Sequence, residues 1–213
     1  MKRLIISTLL LGVGIKETSG DIVDMGLEEL NEKVNRCKRC SLSETRTNPV
    51  FGAGGTDAKI MFIGEAPGRN EDLRGEPFVG AAGKILDELL DSISLTRDDV
   101  YIANILKCRP PKNRNPRREE IEICTEYLND QIEILNPVAI ATLGNFSTNY
   151  VLNKFGIASE SIGKIHGNVF HVSDISSELD VVALYHPAVA VYNYGKMDTL
   201  KRDFKVLSQF LVK

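Results

Sequence analysis

The sequence predicts an α/β fold in which a central, mainly parallel sheet of four strands lies between two layers of helices. Two observations lead to this prediction. Short apolar runs of strand length alternate with longer stretches whose apolar residues recur every three or four positions. Strands separated by helices imply βαβ crossovers, which place the strands in parallel and the helices on both faces of the sheet. The expected architecture is therefore a three-layer αβα arrangement.

Four runs have the character of buried strands. They cover residues 59–63, 100–106, 138–143 and 181–185. Gly64 ends the first run abruptly, Gly144 closes the third, and His186 followed by a proline ends the fourth. Helical spacing fills the intervals, and the predicted helices cover 27–34, 81–93, 117–135, a short segment up to 152 and a C-terminal segment over 197–210.

The remaining stretches are predicted to be connections. Residues 49–57 form a glycine-rich connector, residues 69–76 a charged loop, and residues 107–118 a loop that contains three prolines. Residues 165–172 have the pattern of a small hairpin around Gly167 and Asn168.

The composition is that of an ordinary soluble globular protein, with 213 residues, 43% of them hydrophobic and 26% charged. Residues 1–14 place two basic residues before a short apolar run, as secretory signals do. No A-x-A-like cleavage site follows, however, and the run is too short to span a bilayer. Because a helix start is expected at Met25, we expect residues 1–24 to be an extension or a start-codon artefact outside a single domain formed by residues 25–213.

Polar residues follow three of the four predicted strands. Glu65 comes after the first strand, Asn104 lies near the end of the second, and His186 follows the fourth. Ligands bind at the carboxyl ends of the strands in parallel sheets, so these side chains are expected to converge on one site. A nucleotide phosphate loop is disfavoured, because the glycines do not form G-x-G-x-x-G, and Gly83 and Lys84 are followed by isoleucine where a Walker loop has Ser or Thr.

The four cysteines form one close pair and two distant single positions. Cys37 and Cys40 make a C-x-x-C pair, whereas Cys108 and Cys124 lie far downstream. Disulfides would require an oxidising compartment, which nothing else in the chain indicates. Zinc sites usually use two close ligand pairs, and iron–sulfur clusters tolerate wider spacing. The spacing leaves zinc and an iron–sulfur cluster equally open.

The proline-containing loop at residues 107–118 is strongly basic and contains no acidic residue. Its cations can neutralise backbone phosphates of a nucleic acid, although a solvated charged surface is the alternative. The prolines favour a rigid phosphate-binding loop. The basic residues are Lys107, Arg109, Lys112, Arg114, Arg117 and Arg118.

Five segments together resemble the family 4 uracil-DNA glycosylases, the iron–sulfur branch of their superfamily. The resemblance covers nearly everything from Met25 onward, in order. The segments are GEAPGRNED at 64–72, GEPFVGAAGKIL at 75–86, NILKCRPPKNRNP at 104–116, EIEICTEYLNDQI at 120–132 and YHPAVAVYN at 185–193.

The resemblance implies a uracil-DNA glycosylase-like αβα fold, removal of uracil from DNA and a [4Fe-4S] cluster, and so favours iron–sulfur over zinc. The cluster ligands would be Cys37, Cys40, Cys108 and Cys124. It also places Phe78 against the uracil ring, with Gly64 letting the backbone approach the flipped nucleotide. Asn104 would read the polar edge of the base, since its side chain carries both a donor and an acceptor.

Cleavage of the N-glycosidic bond leaves positive charge on the sugar and negative charge on the base. His186 would donate a hydrogen bond to the departing uracil. Glu65 and Glu71 are the candidates for positioning the attacking water, with Asp72 a weaker one, because the better-studied branch has an Asp where this chain has Ala66.

The same resemblance predicts the DNA contacts. Residues 188–194 match a loop that enters the minor groove in related enzymes, with Val191 or Tyr192 as the wedge that fills the vacated space. Phosphate contacts are assigned to the basic loop, through Lys107, Arg109, Lys112 and Arg114.

We expect a monofunctional enzyme that leaves an abasic site without cutting the strand. It would act as a monomer on uracil-containing DNA, single- or double-stranded, in the cytoplasm at the nucleoid and without a membrane. The alternatives are a non-catalytic iron–sulfur DNA-binding module and a glycosylase that removes another damaged base. The set formed by Glu65, Asn104 and His186 favours the uracil-removing enzyme.

Overall fold

A computed structural model describes residues 19–174 and 177–211, with side chains described over 26–172 and 179–211. The first helix begins at Ser19, earlier than the start expected at Met25. Most of the expected extension, residues 1–18, lies outside the described residues. Of the helices in the described ranges, none is long and apolar enough to cross a membrane.

Nine α-helices and six strands make up the described chain, together with four short 3-10 turns. The helices are α1 Ser19–Asn35, α2 Leu42–Thr45, α3 Arg69–Arg74, α4 Ala81–Asp91, α5 Arg118–Leu135, α6 Asn145–Lys154, α7 Ile162–Ile165, α8 Ala188–Tyr192 and α9 Met197–Phe204. The strands are β1 Ala53–Gly54, β2 Ile60–Gly64, β3 Tyr101–Asn104, β4 Ala139–Leu143, β5 Val169–Asp174 and β6 Ser177–Leu184. The 3-10 turns are Arg97–Asp99, Pro111–Asn113, Tyr194–Lys196 and Lys205–Phe210.

The strands form one sheet in the order β1-β3-β2-β4-β6-β5. Its four central strands, β3, β2, β4 and β6, are parallel and correspond to the four predicted strands. Strands β1 and β5 add antiparallel edges that the sequence did not predict. The prediction of a mainly parallel α/β sheet is confirmed, and the sheet is two strands wider than expected.

The central strands are buried on both faces, which produces the three layers. In β2, Met61 and Ile63 belong to the core that contains residues of α1, α5, α6 and α7, whereas Ile60 and Phe62 belong to the core that contains residues of α4, α8 and α9. All four side chains are fully buried. Continuous apolar runs of this kind are typical of parallel strands covered by helices on both sides. Each buried side chain of this size contributes about 1.5–3 kcal/mol to stability.

Three connections differ from their predictions. The hairpin expected at residues 165–172 is wrong: Gly167, with φ of 79°, turns the chain from α7 into β5, which pairs with β6. The charged loop expected at 69–76 is mostly α3, a six-residue helix that ends at Gly75 in the left-handed conformation. Residues 49–57 contain the short strand β1. These elements are too short to show a clear apolar period in the sequence.

The topology brings the polar residues to one edge of the sheet. Gly64 pairs with Asn104 where β2 and β3 end, and Leu143 pairs with Leu184 where β4 and β6 end. Chain segments leaving these strands therefore start side by side. The site expected at the carboxyl edge can form there, as in other open α/β sheets.

Candidate active site

A cleft at the carboxyl edge of the sheet brings together most of the predicted catalytic and base-binding residues. It encloses about 1300 Å³, including its open mouth. The turn after β2, the end of β3, α3, the loop at 110–115 and α8 surround it. Its lining includes Glu65, Ala66, Gly68, Glu71, Phe78, Asn104, Arg114, His186 and Tyr192.

Gly64 lies beneath the floor of this cleft. A methyl group on Gly64 would lie 2.3 Å from Oδ1 of Asn104 and 2.9 Å from the ring of Phe78. Asn104 is 2% exposed, so its amide has little room to move away. A glycine is therefore required here by close packing, and its small size brings the amide and the aromatic ring together.

Phe78 adopts an uncommon backbone conformation. Its φ of 53° lies in the left-handed region, which costs an aromatic residue about 1–3 kcal/mol and persists only where the surrounding structure imposes it. The ring is buried and stacks against the imidazole of His186, with centroids 5.6 Å apart and planes inclined by 26°. This conformation places the ring in the cleft beside the histidine.

The imidazole of His186 is held in a defined orientation. The backbone N–H of Ala188 donates to Nδ1 over 3.1 Å, so Nδ1 is the acceptor and the proton of the neutral ring resides on Nε2. Burial lowers the pKa of His186 to about 4, and Glu71 opposes the shift weakly. At neutral pH the ring is therefore uncharged and retains one N–H donor.

The two candidate catalytic glutamates differ in environment. Glu65 lines the cleft half-buried, and burial raises the pKa of its carboxyl group. Glu71 accepts hydrogen bonds from the backbone N–H groups of Gly68, Val79 and Gly80, at 3.1, 2.9 and 2.8 Å. The carboxylate of Glu71 is thus engaged in holding the loop that carries Phe78, which favours Glu65 as the group that can act on a water.

Asp72, the weaker candidate, does not line the cleft. It is 4% exposed, and its two carboxylate oxygens accept hydrogen bonds from the backbone N–H and the hydroxyl of Thr47, each at 2.8 Å. Asp72 therefore joins α3 to the segment after the first cysteine pair. The prediction that it can position water is wrong.

The basic loop is only partly available for DNA, and the structure corrects the prediction for Lys107. This residue is 1% exposed, and its ammonium group donates to the backbone oxygen of Asn104 over 3.1 Å and to Oε1 of Gln131. Burial lowers the pKa of Lys107 to about 8. A phosphate cannot reach this ammonium group, so the predicted DNA contact is wrong.

The other cations of the loop lie at or near the surface. Lys112 is exposed, Arg109 donates to Oδ1 of Asn113 over 2.7 Å, and Arg114 forms a two-pronged ion pair with the buried Glu120. The ion pair fixes the loop against the start of α5. Arg117 and Arg118 are also exposed.

The predicted wedge residues lie on α8, directly after His186. Tyr192 is 89% exposed and borders the mouth of the cleft, whereas Val191 is 43% exposed. Exposure of a tyrosine to this extent is unfavourable without a partner, because its ring is largely apolar. Of the two, Tyr192 is the better placed to contact a substrate at the mouth.

Two residues that support the site were missed by the sequence interpretation. Arg97 donates to the backbone oxygens of Pro77 and Phe78, and Gln131 holds the ammonium group of Lys107. Arg97 lies in a polar turn and Gln131 within an amphipathic helix. No local pattern distinguishes either from an ordinary surface residue, so only the folded arrangement identifies them.

The four cysteines line one small cavity between α1, the loop after β3 and α5. The described residues around this cavity contribute no carboxylate or imidazole. None of the four forms a disulfide. Nη1 of Arg46 donates to the sulfur of Cys108 over 2.9 Å, and the backbone N–H of Lys107 donates to that of Cys124 over 3.2 Å.

The donor set at this cavity consists of sulfur atoms. Over residues 19–174 and 177–211, no three His, Cys, Asp or Glu side chains converge tightly enough to form a single-metal site. Four sulfur donors, with N–H groups directed at two of them, match the ligand chemistry of thiolate-bound metal groups such as iron–sulfur clusters. The residues present therefore fit an iron–sulfur cluster.

Comparisons with known proteins agree with the geometry. A family model described as the uracil DNA glycosylase superfamily matches residues 51–210. The chain is 45% identical over 183 residues to a type-4 uracil-DNA glycosylase of Archaeoglobus fulgidus, covering 86% of this chain and 92% of the relative. It is 46% identical over 187 residues to a type-4 enzyme of Sulfurisphaera tokodaii, with 87% and 85% covered. A type-4 enzyme of Saccharolobus solfataricus is 45% identical over 186 residues, with 87% and 86% covered.

Proposed function

The chain belongs to the uracil-DNA glycosylase superfamily, and from this premise we propose that it removes uracil from DNA by hydrolysing the N-glycosidic bond. The enzyme leaves an abasic site and does not cut the strand. One observation carries the proposal: Phe78, Asn104 and His186 meet around one cleft, over a glycine that leaves no room for a side chain. We further propose that residues 25–213 form the single functional domain.

Recognition begins when the deoxyuridine leaves the duplex, because the glycosidic bond is inaccessible in stacked DNA. The flipped base enters the cleft and packs against the ring of Phe78. The amide oxygen of Asn104 accepts from N3–H of uracil, and its nitrogen donates to O4. Cytosine presents the reverse pattern at this edge and is rejected, because the buried amide has little freedom to turn over.

Bond cleavage is assisted at the leaving group by His186. Its Nδ1 accepts from Ala188, so the Nε2–H is the group that donates to the developing uracil anion. A neutral N–H donor in a partly buried site stabilises the developing negative charge on the uracil by a hydrogen bond. The low pKa of His186 keeps the ring neutral throughout the physiological range.

Attack on the sugar cation is assigned to a water that Glu65 orients. The carboxylate of Glu65 lines the cleft on the side where β2 ends, whereas the carboxylate of Glu71 is occupied by three backbone donors. The negative charge of Glu65 also favours the positive sugar. Ala66 leaves space beside it.

The thiols of Cys37, Cys40, Cys108 and Cys124 hold a [4Fe-4S] cluster in this proposal. When bound, the cluster supplies structural cross-linking, since glycosidic hydrolysis involves no redox change. Cys37 and Cys40 follow α1, Cys108 follows β3, and Cys124 lies in α5. These four ligands connect the N-terminal segment to the loop that borders the cleft.

DNA is held by the exposed cations of the basic loop and by Tyr192 in this proposal. Lys112 and Arg109 contact backbone phosphates, and Arg114 holds the loop through Glu120. Tyr192 fills the space left by the flipped nucleotide. Action on single- and double-stranded DNA, in the cytoplasm at the nucleoid and as a monomer, belongs to the same proposal.

The test is release of free uracil from a DNA strand that contains one deoxyuridine. We expect free uracil and an alkali-labile abasic site, with the strand intact before alkali. A matched strand with cytosine or thymine at that position is the control. Binding without release, by protein that retains its iron, would instead favour a non-catalytic DNA-binding module.

A further inference from the structure

The left-handed backbone of Phe78 needs a structural cause. Unfavourable conformations of this kind persist where the surrounding structure fixes the chain. The residue lies in the connection between α3 and α4, so no helix or strand of its own provides the restraint. The contacts of the peptide groups on each side of Phe78 identify the residues that restrain its backbone.

Arg97 binds the peptide groups that flank Phe78. Its Nη2 donates to the backbone oxygen of Phe78 over 2.5 Å, and its Nη1 donates to that of Pro77 over 3.1 Å. The Nε of the same side chain donates to Oδ1 of Asp87 in α4 over 2.6 Å. A planar guanidinium can make all three bonds at once, which a lysine ammonium cannot do with the same geometry.

Neighbouring groups complete this restraint. A methyl group on Gly83 would lie 1.7 Å from the backbone oxygen of Phe78, so α4 approaches the carbonyl closely on the side of Arg97. After Phe78, the carboxylate of Glu71 accepts from the N–H groups of Val79 and Gly80. The guanidinium of Arg97 therefore binds the carbonyls of Pro77 and Phe78, and the carboxylate of Glu71 binds the amides of Val79 and Gly80.

We propose that Arg97 is a positioning residue that keeps Phe78 in the left-handed conformation, with its ring over Gly64 and beside His186. The inference rests on the proposed function, because the ring is the surface on which the flipped base stacks. Arg97 itself lies outside the cleft lining and does not contact the base. Its effect on catalysis passes entirely through Phe78.

A double-mutant cycle tests this dependence. Uracil release under single-turnover conditions is measured for wild type, Arg97→Met, Phe78→Ala and the double variant. We expect Arg97→Met to slow release about 10- to 100-fold in the wild-type background, the scale expected for a displaced reactive-site group. In the Phe78→Ala background the same change should have less than about a 2-fold effect, since the two residues then act as one unit.

Controls separate positioning from general stability. Asp87→Asn removes the ion pair of Arg97 but keeps its bonds to the two carbonyls, and Arg202→Met removes an exposed arginine elsewhere. Both should release uracil within about 2-fold of wild type. If Arg97→Met does not fold, as shown by its thermal unfolding curve, Arg97→Lys replaces it in the cycle, with a smaller but still Phe78-dependent loss.

Inhibition by free uracil gives a second readout. Loss of the preformed stacking surface should weaken inhibition of Arg97→Met by uracil, with no such change in Asp87→Asn. Equal slowing by Arg97→Met in both backgrounds, or unchanged uracil inhibition, would overturn the inference. A wild-type protein that releases no uracil would instead reject the proposed function, so the two failures are distinguishable.

Discussion

Gly64 and Asn104 face each other across neighbouring parallel strands, and Cα of Gly64 lies so close to the Asn104 amide that a methyl group there would be 2.3 Å from Oδ1. Such a distance is far inside van der Waals contact. The same methyl group would press on the ring of Phe78 at 2.9 Å. The absence of a side chain on Gly64 therefore allows the Asn104 amide and the Phe78 ring to occupy the positions from which they contact the base.

Gly64→Ala is therefore expected to lower uracil release by roughly 100-fold or more, because the amide and ring must both move from their reactive positions. Single-turnover assays on uracil-containing DNA measure the loss. Gly163→Ala is the matched control, since a methyl group there meets only the Tyr185 hydroxyl at 3.7 Å, an ordinary contact. Equal rates for Gly64→Ala and wild type would show that Asn104 does not read the base from this position.

The pKa of His186 gives a prediction for stability against pH. The folded pKa of about 4 lies below the ordinary value of 6.5, so the unfolded chain binds more protons between these values. The contribution of His186 to stability is complete above pH 6.5 and is lost as pH falls through 4. His186→Gln should therefore flatten the fall in urea midpoint between pH 6.5 and 4. A fall of unchanged steepness would contradict a partly buried imidazole that stays neutral.

The two glutamates are separated by their pH profiles. Glu65→Gln should slow uracil release by about 100-fold, the lower range for loss of a general base. It should also remove the acid limb of the rate profile, which the raised pKa of Glu65 places above its ordinary value. Glu71→Gln should keep that limb and lose about 1–3 kcal/mol of stability, because its three backbone donors lose a charged acceptor. If Glu71→Gln instead removed the acid limb of the rate profile, and Glu65→Gln kept the limb but lowered stability, Glu71 would be the catalytic carboxylate.

Much of this site follows from the sequence because local signals coincide with topology. Two apolar runs followed by Glu65 and His186, and a third that carries Asn104 near its end, predict parallel strands, and parallel strands place their ends together. The cysteines required the family resemblance, because spacing did not distinguish zinc from iron–sulfur. Helix α3 was missed because its five charged and polar residues and a single leucine, Leu73, show no apolar period.

Lys107 shows where sequence reasoning fails in physical terms. Its neighbours Arg109 and Lys112 are cationic, so a pattern of charge assigns all three to one surface. Lys107 instead follows a buried strand and turns inward, where the carbonyl of Asn104 and the side chain of Gln131 satisfy its ammonium group. Burial depends on the path of the chain after β3, which composition does not encode.

The cysteine cluster predicts a coupled loss of colour and stability. We expect the wild-type protein to be brown and to contain equal amounts of iron and acid-labile sulfide. Cys108→Ala should abolish both properties. It should also lower the unfolding temperature, because one ligand joining α1 to the loop after β3 is lost. Ser41→Ala, an exposed change next to Cys40, is the control and should retain both. Protein that contains only zinc and binds no iron on reconstitution would contradict the iron–sulfur assignment.

The basic loop separates cations that contact DNA from the one that supports the fold. Lys112→Gln should reduce the slope of log affinity against log salt by about 0.9 for uracil-free duplex, since one phosphate contact is lost. Lys107→Gln should leave that slope unchanged and lower stability by about 2–3 kcal/mol, because charged hydrogen bonds to Asn104 and Gln131 are lost. The slope comes from titrating DNA binding at several salt concentrations, and stability from urea unfolding of the same preparations. A reduced slope for Lys107→Gln would mean that the ammonium group reaches a phosphate after all. That result would require the loop after β3 to open when DNA binds, and so to release the backbone of the residue that reads the base.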